Sequence, residues 1–193
     1  MHTRRLVVAA ALAATSALLV PTGPAEGRAG GSVTVAGMAF SPASVTVGLG
    51  ESVTWTFQDA TPHTTTSDQG FWDSGTRSGG ATYSRSFTSA GTFAYHCTIH
   101  SMMRGKVAVP VSASGSPGAG WTLRWSTKKG KGGVTFDVQT RLGSGKWKSL
   151  VTGAAAASQR FDPAKAGSYS VRARTVQGGA RSGWSPTTTV PVS

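Results

Sequence analysis

From Ser32 onward the large apolar residues stand at alternate positions: Val33 and Val35, Val45 and Val47, then Val53, Trp55 and Phe57, Phe87, Phe93 and Tyr95, Val107 and Val109. A period of two puts one face of a strand in a core and the other in water. The runs are short and are cut by turn signals such as Ser41-Pro42, Gly48-Leu49-Gly50, Ser78-Gly79-Gly80 and Ser89-Ala90-Gly91. The 26 Gly and 9 Pro would burden any helix interior, which excludes a helical bundle or coiled coil. The expected class is all-β, an antiparallel sandwich or barrel.

A second alternating set begins with Trp121, Leu123 and Trp125 and continues through Val134, Phe136 and Val138, Trp147, Leu150, Phe161, Tyr169, Val171 and Ala173, then Val190 and Val192. Between the sets, residues 112–120 hold no side chain large enough to anchor a core and read as a flexible Gly/Ser/Pro linker. Residues 29–111 and 121–193 are therefore expected to form two β domains, each within the size range that folds alone. Ala154 to Ala157 favours helix by propensity, but four residues between strands cannot sustain one.

Residues 1–28 carry Arg4 and Arg5, an apolar run from Leu6 to Val20 and a small-residue exit at Pro21 to Ala25. This is the plan of an export signal cleaved near Ala25. The apolar run falls short of the ~20 residues that span a bilayer. Thr3-Arg4-Arg5-Leu6 also resembles a twin-arginine signal. The mature chain is expected to be secreted or in the cell envelope, where a lone cysteine needs a reason.

That cysteine lies in Tyr95-His96-Cys97-Thr98-Ile99-His100-Ser101-Met102-Met103-Arg104-Gly105-Lys106-Val107. One Cys excludes a disulfide framework and a multi-thiolate zinc site. A thiolate, an imidazole three residues on and a thioether six residues on can converge if Cys97 ends one strand, Val107 opens the next and the loop between curls around an ion. His63, in a turn after the Trp55/Phe57 strand whose backbone Pro62 fixes, can supply a third strong donor from an adjacent loop. Two imidazoles, one thiolate and a weak thioether form the set that suits copper cycling between Cu(I) and Cu(II). His96 is expected to point away from Cys97 if both lie on one strand. Met102 and Met103 compete for the thioether role.

Several motifs give this region a family likeness: Phe40-Ser41-Pro42, Gly50-Glu51-Ser52-Val53-Thr54-Trp55, Pro62-His63-Thr64, Phe71-Trp72-Asp73-Ser74-Gly75, Phe87 to Gly91, and Tyr95 to Val107. In this order they resemble a cupredoxin of the plastocyanin/amicyanin type, a Greek-key β-sandwich. The gap between His100 and Met103, followed by Arg-Gly-Lys-Val, is most similar to amicyanin's short ligand loop. The resemblance implies that His63, Cys97, His100 and Met103 hold one type 1 copper ion, that Met103 rather than Met102 is axial, and that the chain is a one-electron carrier serving a redox partner protein. A non-redox copper carrier or storage protein, and a cell-envelope interaction protein, are the alternative functions. With His63, His96 and His100 the only histidines beyond the signal, further copper centres are excluded. No Ser/His/Asp set, phosphate loop or paired carboxylate arrangement stands out, so no enzyme is expected.

Charge divides unevenly. Residues 29–112 carry Arg77, Arg85, Arg104 and Lys106 against Glu51, Asp59, Asp68 and Asp73, whereas residues 113–193 hold twelve basic residues against Asp137 and Asp162. The C-terminal region resembles a fibronectin type III module, an immunoglobulin-like β-sandwich. The resemblance rests on Leu123-Arg124-Trp125-Ser126, Phe136-Asp137-Val138-Gln139, Gly167-Ser168-Tyr169-Ser170-Val171 and Gly183-Trp184-Ser185-Pro186, with Tyr169 implied as the tyrosine corner and a first strand before Trp121 hard to find. Arg172 and Arg174 alternate with core-facing Val171 and Ala173, and Lys146 and Lys148 flank an inward Trp147. With Arg141 and Arg181 they are expected to make a basic docking face for an anionic cell-envelope polymer, a membrane surface or an acidic redox partner. Nucleic acid is excluded by export and by the lack of an aromatic-plus-basic recognition motif.

Overall fold

Most of the alternating runs become strands, with Val47, Phe87, Trp125 and Trp147 just beyond strand ends. The computed structural model describes residues 30–193, so the export-signal reading lies outside the described residues. Among those residues every regular element is a β-strand. The first half contains β1 (Gly31–Ala36), β2 (Ala39–Ser41), β3 (Ser44–Thr46), β4 (Ser52–Phe57), β5 (Thr66–Ser67), β6 (Thr82–Ser86), β7 (Gly91–His96) and β8 (Arg104–Val109). Two four-stranded sheets face each other, in the orders β2-β1-β4-β6 and β3-β8-β7-β5.

The pairing is not antiparallel throughout, as the periodicity suggested. β1 runs parallel to β4, from Gly31 opposite Val53 to Val35 opposite Phe57, and β3 runs parallel to β8. A parallel pair needs a crossover between its strands. Here the chain leaves β1 through β2, crosses to the opposite sheet as β3, and returns as β4. Alternation specifies which face of a strand is buried, not which strand lies beside it.

Between these sheets Trp55 is fully buried, with ring centroids of Tyr95, Tyr83, Trp72 and Phe87 at 5.5, 5.8, 6.0 and 6.4 Å. Tyr95 meets it edge-on, and burial pushes the Tyr95 phenol up to about 12, keeping it neutral. Opposite Tyr95 in β8 stands Gly105, where any β-carbon would collide with the phenol ring, so this register requires glycine.

The second half comprises β9 (Ser112–Ser116), β10 (Gly120–Arg124), β11 (Val134–Leu142), β12 (Lys148–Ala154), β13 (Ser158–Phe161), β14 (Gly167–Gln177), β15 (Ala180–Arg181) and β16 (Thr188–Val192). One sheet has the order β13-β10-β9; the other has β12-β11-β14-β15, with β16 also on β14. Between them lies a separate core of Leu123, Trp125, Phe136, Val138, Val171 and Val190.

The expected flexible linker is corrected by β9 and the turn after it. Ser112–Ser116 pairs antiparallel with β10, from Ser112 opposite Arg124 to Ser116 opposite Gly120. A β-carbon on Gly115, whose φ is +136°, would strike the Gly120 carbonyl, so this glycine serves close backbone approach. Strand β9 is also the element before Trp121 that was hard to find, because backbone hydrogen bonds hold it and its small side chains leave no apolar signature.

The two sandwiches share a seam. Ala90 and Val111 belong to the second core, and Leu49 packs against both cores. Ala90 N donates to Trp125 O at 2.8 Å, Thr127 N to Thr88 O at 2.9 Å, and Thr92 and Gly183 exchange backbone bonds at 2.9 and 2.8 Å.

Trp147 is not inward-facing as expected. It lies outside the second core in a stacked series, with the Arg141 and Arg172 guanidinium carbons 4.6 and 4.1 Å from its ring centroid and Arg172 and Arg174 each 4.6 Å from that of Trp184. Arg172 also donates to Gln139 Oε1, and Arg174 pairs with Asp137 at 2.8 Å. Burial pushes the Asp137 carboxyl up, but the Gly153 N–H and Arg174 outweigh it and hold it below the usual carboxylate range. A depressed folded pKa gives stability that is complete above the unfolded value near pH 4 and is lost as pH falls through the folded value. Asp137→Asn should therefore cost about 1–3 kcal/mol at neutral pH, with the gap to wild type closing below about pH 4 in denaturant titrations.

Candidate metal centre

Inward parity along β7 runs through Phe93 and Tyr95 to Cys97, just past the strand's end, while His96 takes the other face. There His96 Nδ1 lies 2.6 Å from Asp68 Oδ1, away from the cysteine as its position predicted. From Cys97 the chain closes a tight loop before β8: Met103 N donates to His100 O at 3.0 Å, and Cys97 N to Met103 O at 3.1 Å. His63 arrives from the loop between β4 and β5, fixed by reciprocal backbone bonds with Arg77, each 2.8 Å.

Three donor atoms meet. Cys97 Sγ is 3.6 Å from His100 Nδ1 and 4.0 Å from His63 Nδ1, and the two Nδ1 atoms are 3.1 Å apart. Donors about 2.0–2.3 Å from one ion at angles of roughly 100–130° would stand roughly 3.1–4 Å apart, so the observed set fits a single metal ion. His63 and Cys97 are 0% and 1% exposed, and Met103 beside them in the loop is 1% exposed. His100 is partly exposed. Met102 is 78% and Ile99 47% exposed, which places both on the rim beside His100.

The surroundings hold these donors in place. Thr64 N donates to Cys97 Sγ at 3.3 Å, and Thr98 N to Thr64 Oγ1 at 2.9 Å, which ties the two donor loops together. On the far side of the His63 ring, Asp59 Oδ1 stands 3.2 Å from Nε2, poorly aligned for a hydrogen bond, while Asp59 Oδ2 accepts the Gly37 N–H at 2.8 Å. The carboxylate thus sits beside Nε2, while Nδ1 is the nitrogen that faces the Cys97 and His100 donors. The structure brings together His63, Cys97 and His100 of the residues singled out from sequence, while sequence reasoning missed Thr64, Thr98 and Asp59. Thr64 flanks His63, yet nothing in a single sequence marks its N–H as aimed at sulfur.

Residues 29–110 match the family described as copper binding proteins, plastocyanin/azurin family. Amicyanin of Paracoccus denitrificans is 38% identical over 82 residues, covering 40% of this chain and 63% of that protein, so less than two thirds of its length is spanned. Amicyanin-alpha of Methylorubrum extorquens is 38% identical over 117 residues, covering 55% of this chain and 98% of the relative. A solved structure of a reduced amicyanin mutant aligns with a TM-score of 0.40 at 35% identity, over 42% of this chain and 81% of that one. The first sandwich, with its His-Cys-His cluster suited to one type 1 copper ion, is thus a cupredoxin domain. By the near-complete coverage of one relative at 38% identity, the chain belongs to the plastocyanin/azurin family of copper binding proteins.

Proposed function

We propose that this chain is an extracytoplasmic one-electron carrier in which His63, Cys97 and His100 hold copper and Met103 is the axial ligand. The observation that carries the reading is the convergence of one thiolate and two imidazole nitrogens within 4.0 Å of one another, with Met103 buried in the same loop. Bound copper supplies the one-electron couple. Sulfur favours its reduced state and imidazole accepts both. The chain's part is to hold one compromise geometry: the Thr64–Thr98 tie, the closed 97–103 loop and the buried His63 ring leave the donors little freedom.

His100 is the donor with an exposed edge, and Ile99 and Met102 make its rim apolar. A redox partner protein docks there, since an apolar rim lets two proteins approach without desolvating charge. Copper-loaded oxidised protein should show intense visible thiolate-to-copper absorption, with electron self-exchange faster than metal exchange; faster metal exchange would favour copper carriage or storage instead. Met102→Lys should slow self-exchange about tenfold at low salt, because two like charges then meet at the contact. NMR line broadening of mixed oxidation states measures this.

The domain assignment follows the two pairs of sheets, with Ala90 and Val111 of the first packing into the second core. Residues 29–111 form the copper domain, and the fibronectin type III-like module takes the rest from Ser112, with residues 112–120 its first strand and turn. Its support is a two-sheet sandwich with a buried Trp125, and the Tyr169 hydroxyl donating to Lys165 O at 2.9 Å, which resembles a tyrosine corner. The docking face proposed for an anionic cell-envelope polymer now rests on Lys146 and Lys148 beside the stacked arginines, since Arg172 and Arg174 are engaged with Trp rings, Gln139 and Asp137. Lys146→Glu with Lys148→Glu should weaken binding to a teichoic-acid-type polyphosphate severalfold in a low-salt sedimentation assay. Unchanged binding would remove the docking role.

A further inference from the structure

We propose that the cleft between the two sandwiches binds a small organic anion with a flat apolar body. The cleft has a volume of ≈ 430 Å³, within the roughly 300–1,000 Å³ usual for small-molecule sites, and residues of both domains line it. Its apolar lining comes from Phe87 and Phe93 on the copper-domain side and Phe136 on the other. Phe87 and Phe93 are tilted at 53° with centroids 5.4 Å apart, and the partly exposed Phe71, which also lines the cleft, meets Phe93 edge-on at 5.3 Å, so the wall there is aromatic.

The polar groups around that apolar surface have one sign. Arg85 lies over Trp72 and Phe87, 5.2 and 5.8 Å from their ring centroids, and its Nε is buried with no hydrogen-bond partner. Lys128, Lys129 and Lys131 stand exposed on the loop between β10 and β11 and line the same cleft. Among the described residues no acidic side chain lines it. Two of the lining hydroxyls are already engaged: Thr175 Oγ1 donates to Ala90 O at 3.0 Å, and Ser126 Oγ to Lys128 O at 2.8 Å. Solvation accounts for three surface lysines, but not for a buried guanidinium N–H without an acceptor beside aromatic rings. A carboxylate or sulfonate would meet the Arg85 side chain where it lines the cleft together with the lysine rim, and an aromatic body would cover the rings. The size of the cavity selects a small molecule rather than a polymer.

Because both domains contribute walls, occupancy favours the joined state over any opening of the seam. The test uses the full-length copper-loaded protein, with naphthalene-2-sulfonate as probe and naphthalene-2-methanol as its neutral counterpart, followed by titration calorimetry and thermal melts. The expected result is one saturable site per chain for the sulfonate, a higher melting midpoint on saturation, and at least tenfold weaker binding of the alcohol. Lys128→Gln/Lys129→Gln/Lys131→Gln and, separately, Arg85→Gln should each raise Kd about threefold or more, since each removes charge-assisted contacts. Circular dichroism checks that both variants remain folded. The proposal is overturned if the sulfonate does not saturate, if the alcohol binds as tightly, or if binding by folded variants equals that of wild type.

Discussion

Cys97→Ser should abolish the intense visible absorption of the copper(II)-loaded protein and weaken copper binding by more than the ~10–100-fold that loss of an outer-shell partner costs. Cys97 is the chain's one cysteine, so no second thiolate can replace it. Serine fits the same buried position and leaves an acceptor for the Thr64 N–H, so the fold should survive and the effect should be chemical. A serine hydroxyl is a hard, weakly acidic donor that neither favours Cu(I) nor gives thiolate charge transfer. His96→Ala is the paired control. His96 neighbours Cys97 in sequence but faces Asp68, so its removal should leave the spectrum in place. Persistence of the absorption in Cys97→Ser, or its loss in His96→Ala, would assign the site wrongly.

The paired outcome turns on side-chain parity, which is the part of this protein that sequence states most clearly. Val53, Trp55 and Phe57 in β4, and Phe93, Tyr95 and Cys97 along β7, are buried as alternation required. The His63, Cys97 and His100 cluster was also legible, because metal chemistry demands particular residue types at particular loop spacings. What could not be read was set by backbone. The parallel pairing of β1 with β4 depends on a crossover that side-chain period does not encode. Strand β9 is built of Ser, Ala and Gly, so its hydrogen bonds to β10 left no apolar trace and it passed for a linker. Trp147 was misplaced for a different reason: arginines can cover an aromatic ring on an outer face as effectively as a core can, and hydrophobicity does not distinguish the two. The basic character of residues 113–193 was read correctly as composition, yet Arg141, Arg160, Arg172 and Arg174 are engaged in stacking or pairing rather than free.

Trp125→Ala should lower the unfolding midpoints of both domains together, although Trp125 lies in the second core. The side chain is fully buried, and its indole N–H donates to Ala156 O at 2.6 Å. Truncating a buried tryptophan costs about 3–5 kcal/mol, on the order of 10 °C for a chain of this size. Domains in one chain are expected to move and melt separately unless their interface is large and apolar. Here the seam is continuous with the second core: Ala90 and Val111 are packed within it, Trp125 O accepts the Ala90 N–H, and Thr175 Oγ1 donates to Ala90 O. The next residue, Gly91, opens β7, which after the Thr92–Gly183 bonds runs directly to Cys97. One strand thus has its start in the domain seam and its end at the metal centre. Loosening Trp125 releases the start of that strand, and thiolate-to-copper absorption should be lost at the same temperature as far-UV circular dichroism. Wild type should likewise show a single coincident transition by both probes, as two-state unfolding requires. Two separated transitions in the variant, with the copper signal unmoved from its wild-type midpoint, would mean that the seam is a contact without mechanical consequence and that each sandwich stands alone.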